Sequence, residues 1–179
     1  MNAYDPARLK TLLAACESAT GAHARGSALE DLVQHIFAAT PSVTLYRRDV
    51  KDQDGTQEVD LVFSHLQHVS LLPIPDVTII VECKNERRKA TSEQITRFGT
   101  KLRTRNAKIG IFVTAAGLSG KNKPAVAAHA AIRDELSAGA SIIVVTAAEL
   151  AAVTSSDELA VLLRDRLLEL HTFRNYQSL

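Results

Sequence analysis

Val77-Thr78-Ile79-Ile80-Val81, closed by Glu82-Cys83-Lys84, is the stretch on which the fold turns. Its apolar part is rich in β-branched residues and follows Pro73 and Pro75, the pattern of a buried strand. Residues two apart in a strand share a face, so Glu82 and Lys84 stand side by side and Cys83 turns away. A carboxylate and an ammonium at the end of a buried strand are costly unless they pair or bind something. Upstream, Gln57-Glu58-Val59-Asp60-Leu61-Val62-Phe63 offers a second strand that carries Asp60. Two acids and a lysine on neighbouring strand ends form a divalent-metal site with a cationic helper, a set suited to stabilising charge in phosphodiester hydrolysis.

Outward from this pair the chain alternates regular elements. Ala7 to Glu17 reads as a helix with Leu9, Leu12 and Leu13 on one face and Asp5-Pro6 at its start. Gly21 to Gly26 is a break, and a second helix runs from Ser27 to Ala39 with its apolar stripe at Leu29, Leu32, Val33, Ile36 and Phe37. Three extended segments follow, Val43 to Arg48, Glu58 to Ser64 and Val77 to Cys83, the first two joined by a turn at Asp52-Gln53-Asp54-Gly55. A helix over Ser92 to Arg105 precedes a strand, Lys108 to Thr114. Then come a loop at Gly117 to Lys123, a helix from Pro124 to Ser137, a strand from Ser141 to Thr146, and helices over Ala147 to Val153 and Asp157 to Leu170. A β-meander followed by a helical crossover predicts an α/β or α+β fold, a mixed sheet flanked by helices.

With 179 residues, the chain has room for one domain, with an N-terminal helix (1–25), a core (26–146) and C-terminal helices (147–179). Hydrophobic residues make up 46% and charged residues 23%, which excludes extended disorder; a formal net charge of +1 neither proposes nor excludes nucleic acid. Cys16 and Cys83 lack zinc spacing and fit a reducing compartment. No basic-then-apolar leader opens the chain, and no apolar run is long enough to span a bilayer. The expectation is a cytoplasmic protein without a membrane partner.

Asp60 and Glu82-Cys83-Lys84, with Glu30 in the preceding helix, resemble the E…D…ExK signature of the PD-(D/E)xK nuclease superfamily, in particular its Mrr-like restriction endonuclease branch. The resemblance runs from about Gly26 to Val145. It takes in Gly26-Ser27-Ala28-Leu29-Glu30-Asp31-Leu32-Val33, Phe98 in the helix after the lysine, and Gly110-Ile111-Phe112-Val113-Thr114 as the next strand. Val59 stands where the motif name has proline, and the gap between Asp60 and Glu82 is long, holding His65, His68, Pro73 and Pro75. The resemblance implies a restriction-endonuclease-like αβββαβ core and a Mg²⁺- or Mn²⁺-dependent endonuclease acting on DNA in restriction or antiviral defence. Two alternatives stand beside it: a Holliday-junction-type nuclease on the same fold, and a non-catalytic module that binds nucleic acid or a protein.

Residue by residue, Glu30 has two readings. Ser27-Ala28-Leu29-Glu30 has the S-x-x-E form of a capping box, and Glu30 also lies at the rim of the apolar stripe, where its carboxylate can look into the end of the sheet. Asp60 shares a face with Glu58 and Val62, and its shorter side chain makes it a more rigid ligand than Glu58. Asp60 and Glu82, with a backbone carbonyl such as that of Cys83, are hard donors that fit Mg²⁺ or Mn²⁺ rather than zinc. Lys84 serves as base or electrostatic helper. Gln94 enters the site by the resemblance alone. The stretch after Lys84 is basic: Arg87 and Arg88 precede the helix, and Arg97, Lys101 and Arg105 recur every four residues as one stripe able to grip phosphates. His65 and His68 fall in a loop without further zinc ligands, and Gly117-Leu118-Ser119-Gly120-Lys121 departs from the phosphate-loop pattern. The chain shows no specificity module, so a targeting partner subunit and a homodimer, the latter suited to cutting both strands, stand as expectations.

Overall fold

The computed structural model describes residues 3–52, 54–66, 69–118, 125–174 and 176. Its elements are α1 (Pro6–Ser18), α2 (Ala22–Ala38), β1 (Val43–Lys51), β2 (Glu58–His65), β3 (Thr78–Lys84), α3 (Ser92–Thr104), β4 (Ile109–Thr114), α4 (Ala125–Ser137), β5 (Ser141–Thr146), α5 (Ala147–Ala152) and α6 (Ser156–Phe173). The five strands form one sheet in sequence order; β1, β2 and β3 pair antiparallel, and β3, β4 and β5 pair parallel. From α2 to β4 the order is the αβββαβ core. No helix among the described residues is long and apolar enough to cross a membrane.

The parallel strands β3, β4 and β5 are covered on both faces, as their composition requires. Ile109–Thr114 is buried at every position, as strands covered on both faces must be. Alternate residues divide between two cores. Ile79, Val81, Ile111, Val113, Ile143 and Val145 pack with α1, α2, α5 and the first turns of α6. Ile80, Phe112, Ile142 and Val144 pack with Ile95, Phe98 and Leu102 of α3 and Ala128 and Ile132 of α4. The result is a sheet between two helical layers, with the end of β3 opening between α2 and α3.

Two boundaries differ from the sequence expectation. α2 begins at Ala22, not Ser27: Gly21, at φ 87°, is its N-cap and supplies no side-chain bond. Ser27 therefore lies inside the helix and the capping box at Ser27 and Glu30 does not form. The extra turn is held from outside, because the buried Asn85 donates Nδ2 to the carbonyls of Cys16 at 3.1 Å and Arg25 at 2.8 Å. β1 runs on past Arg48 to Lys51: the register shifts between Leu45 and Arg47, Asp49 takes φ 51°, and pairing resumes at Val50↔Val59. The turn that follows is built on Asp52, whose carboxylate accepts from the Thr56 amide at 2.7 Å and whose carbonyl accepts from the Gly55 amide at 3.0 Å. Gln53, His68, residues 119–123 of the predicted loop and Pro124, the expected start of the next helix, lie outside the described residues.

Gly110 on β4 is required by packing. A Cβ there would meet Leu102 Cδ2 at 2.5 Å and Phe98 Cζ at 2.8 Å, and both side chains are fully buried. Gly110→Ala should cost about 1–3 kcal/mol by overpacking, read as a lower urea midpoint with an unchanged slope.

Candidate active site

The site arises where β2 and β3 part. Their last paired residues are Leu61 and Val81. Just beyond, the Asp60 carboxylate enters the gap, and its Oδ2 accepts the Cys83 amide at 2.6 Å. Side-chain alternation slips at this point: Val59 packs with Val62 in the α3/α4 core, whereas Leu61 and Phe63 face the α1/α2 core. The simple two-residue alternation expected for Val59, Leu61 and Phe63 therefore breaks at Asp60. A strand that yields its ladder there is what lets a short carboxylate reach the neighbouring strand.

Glu82, with a side chain only 5% exposed, points to the α3 side. Lys84 Nζ lies 2.8 Å from its Oε1 and 3.9 Å from Asp60 Oδ2. A second ammonium completes the cluster: Lys101 Nζ of α3 donates to Glu82 Oε1 at 2.9 Å and Oε2 at 2.7 Å. Burial, reinforced by the Glu82 charge, pushes the Asp60 carboxyl up to about 6 against the pull of Lys84. Burial pulls the Lys84 ammonium down, but Glu82 and Asp60 outweigh it and hold its pKa above that of an ordinary lysine. Burial also pushes the Cys83 thiol up, keeping it a neutral core side chain.

The structure brings together Asp60, Glu82, Lys84 and the Cys83 backbone. Glu30 stands apart. Its Oε2 accepts from Arg48 Nη2 at 2.7 Å, while Arg48 Nη1 binds Asp31 at 2.6 Å. Even so, Glu30, Arg25, Asp60 and Lys84 line one cavity of about 210 Å³. Gln94 closes a capping box with Thr91 and donates Nε2 to Glu86 at 2.8 Å. It lines a larger groove, about 630 Å³, together with Glu82, Lys84, Arg97 and Lys101. Arg87 and Arg88 are exposed on the loop after β3.

The basic stripe does not project as a unit. Arg97 is exposed and pairs with Glu93 at 2.6 Å, Lys101 turns inward to Glu82, and Arg105 binds the Gln57 side chain and carbonyl at 3.3 Å. Four-residue spacing put these side chains in one row, but it did not register that Lys101 follows Phe98 by three positions and precedes Leu102, both fully buried. That neighbourhood places Lys101 on the rim of the apolar face, where a long stem carries its charge to the strand end. Arg48 and Asn85 carried no motif signal, since each acts through a partner distant in sequence. His65 is not in a loop but ends β2, buried, with Nδ1 3.3 Å from the Asp76 carbonyl.

The donor set fits a hard divalent cation. Asp60 and Glu82 are carboxylates at a strand end whose positive partners are flexible ammoniums, and Asp60 is held up in pKa first by burial and then by the neighbouring Glu82 charge. Among the described residues no three His, Cys, Asp or Glu side chains gather as a ligand cluster, so backbone oxygen and water would fill the remaining positions, as Mg²⁺ favours. A sheet between helical layers with such a site at its parting strands has the form of a restriction-endonuclease-like nuclease domain. A family model described as Restriction endonuclease, that of the Mrr catalytic domain, matches residues 22–154, and the chain belongs to this Mrr-like branch of the PD-(D/E)xK nucleases. No curated protein shows significant similarity to it.

The buried Asp60 has a measurable signature. Its folded-state pKa of about 6 exceeds its ordinary 3.8, so its stabilising contribution is full below about pH 4 and is lost as pH rises through about 6. Asp60→Asn keeps an acceptor for the Cys83 amide and removes the charge. In EDTA, urea unfolding should show the variant gaining stability over the wild type between pH 4 and pH 7; parallel pH profiles would show that Asp60 is not held up.

Proposed function

We propose that this chain is a Mg²⁺- or Mn²⁺-dependent endonuclease that hydrolyses DNA phosphodiester bonds in a restriction or defence setting. The observation that carries the reading is the convergence of Asp60, Glu82 and Lys84 at the end of β3, inside the span that matches the nuclease family. Asp60, Glu82 and the Cys83 carbonyl would hold the cation, which supplies Lewis acidity toward the phosphate and acidifies water. Lys84, kept charged by its two carboxylates, acts as an electrostatic donor to the negative charge that builds on phosphorus-bound oxygens. Water's oxygen bonds to phosphorus as the bond to the leaving sugar oxygen breaks; the water's proton passes to solvent, and solvent protonates the leaving oxygen. Arg97 at the groove, with Arg87 and Arg88 on the adjoining loop, supports the backbone on either side. Glu30 joins the acidic set when released from Arg48.

Supercoiled plasmid should be nicked in Mg²⁺ and left intact in EDTA. Lys84→Ala should lose roughly 10²–10³-fold in rate, the scale of one transition-state donor, while binding duplex in Ca²⁺ within about threefold of wild type. Mg²⁺ should raise the melting temperature by mass action, and Asp60→Ala/Glu82→Ala should abolish that rise. Binding without cleavage or metal response would favour the non-catalytic module, and cleavage confined to cruciform DNA the junction nuclease.

Phosphate contacts carry no sequence information. Replacing Arg87, Arg88 and Arg97 with glutamine should weaken binding to unrelated duplexes alike and flatten the slope of log affinity against log salt by roughly 0.9 per lost contact. An unchanged slope would remove these arginines from the DNA path.

A further inference from the structure

Glu82 carries more positive charge than one buried carboxylate needs. Lys84 alone would neutralise it at 2.8 Å, yet Lys101 reaches across from α3 and engages both of its oxygens. The two lysines differ in setting. Lys84 stands on the same strand and also faces Asp60, 3.9 Å away. Lys101 touches only Glu82 of the two acids, is 16% exposed, and lines the open groove beside Arg97. Its four-carbon stem can turn from the carboxylate to an anion in that groove without moving the backbone.

Counted at neutral pH, Asp60 and Glu82 are matched by two ammoniums. A divalent cation entering that balanced set meets like charge, and the Glu82 oxygens it needs are occupied by hydrogen bonds. A phosphodiester in the groove changes both conditions, since it offers Lys101 another partner and brings negative charge. We propose that Lys101 is a substrate-released counter-cation: it occupies Glu82 while the groove is empty and passes to a backbone phosphate when DNA binds, so that DNA and the divalent cation bind cooperatively. The proposal rests on the endonuclease reading above and assigns Lys101 a positioning role, through Glu82, in loading the site. It thereby suppresses metal loading in the absence of DNA.

The test measures binding. Mn²⁺ affinity, from the free-ion spin-resonance signal without DNA, should rise roughly tenfold or more in Lys101→Met, which keeps the aliphatic stem and loses the charge. Arg97→Met removes one charge from the same helix and should shift the affinity by less than about twofold. Lys101→Arg should restore weak binding. Coupling is reciprocal, so wild-type affinity for a short duplex should rise at least about tenfold from EDTA to Ca²⁺, and that gain should fall below about threefold in Lys101→Met. Equal Mn²⁺ affinities in wild type and Lys101→Met, or an equal Ca²⁺ gain, would overturn the counter-cation while leaving the endonuclease reading in place. Absence of Mn²⁺ binding in every variant would overturn both.

Discussion

Two carboxylates at the end of a sheet covered on both faces must be neutralised, and the surroundings of β3 answer to that need. Asp60 is met by a backbone amide and, at longer range, by Lys84; Glu82 is met by two lysines from different elements. A buried ion pair seldom adds net stability over an apolar pair of similar size, so a structural role alone explains poorly why the chain keeps four charges there. Burial, ahead of the Glu82 charge, pushes the Asp60 carboxyl up against the pull of Lys84. Two carboxylates are thus balanced by two ammoniums at one strand end.

The rest of the architecture fixes where this tension sits. Parallel pairing of β3, β4 and β5 buries the strand bodies and leaves their carboxyl ends at a common edge. Asn85, immediately after Lys84, ties that edge to α1 and to the first turn of α2. α2 thus carries Glu30 to the far side of Asp60, and α3 carries Lys101 to the near side of Glu82. Helices from opposite layers therefore address the same strand end, one with an acid and the other with a base.

What could be read from the sequence was whatever periodicity and local chemistry encode. The apolar runs of β3, β4 and β5 announced strands, that of β3 a buried one, and Glu82 with Lys84 at a two-residue spacing announced a shared face. The start of α2 was hidden because Ser27 and Glu30 mimic a cap, while the true start depends on Asn85, sixty residues from Arg25. The slip at Asp60 was hidden because it is a property of two strands separating. Lys101 was misplaced for a similar reason: a helical row says which residues are neighbours, not which neighbour has an acid opposite.

Glu30 and Glu82 then fall under one principle. Each is engaged by a long cationic side chain from another element, Arg48 in one case and Lys101 in the other, and each engagement can be broken by a side-chain rotation. The two clasps differ in strength. Arg48 also holds Asp31 and Gln34, so its guanidinium remains well partnered if Glu30 leaves. Lys101 has no second acid partner among the described residues, so on the proposal above it departs when another anion replaces Glu82. Release of Glu30 is therefore a matter of local geometry around α2 and β1. On the proposal above, release of Glu82 waits on something negative in the groove, which DNA lying along α3 would supply.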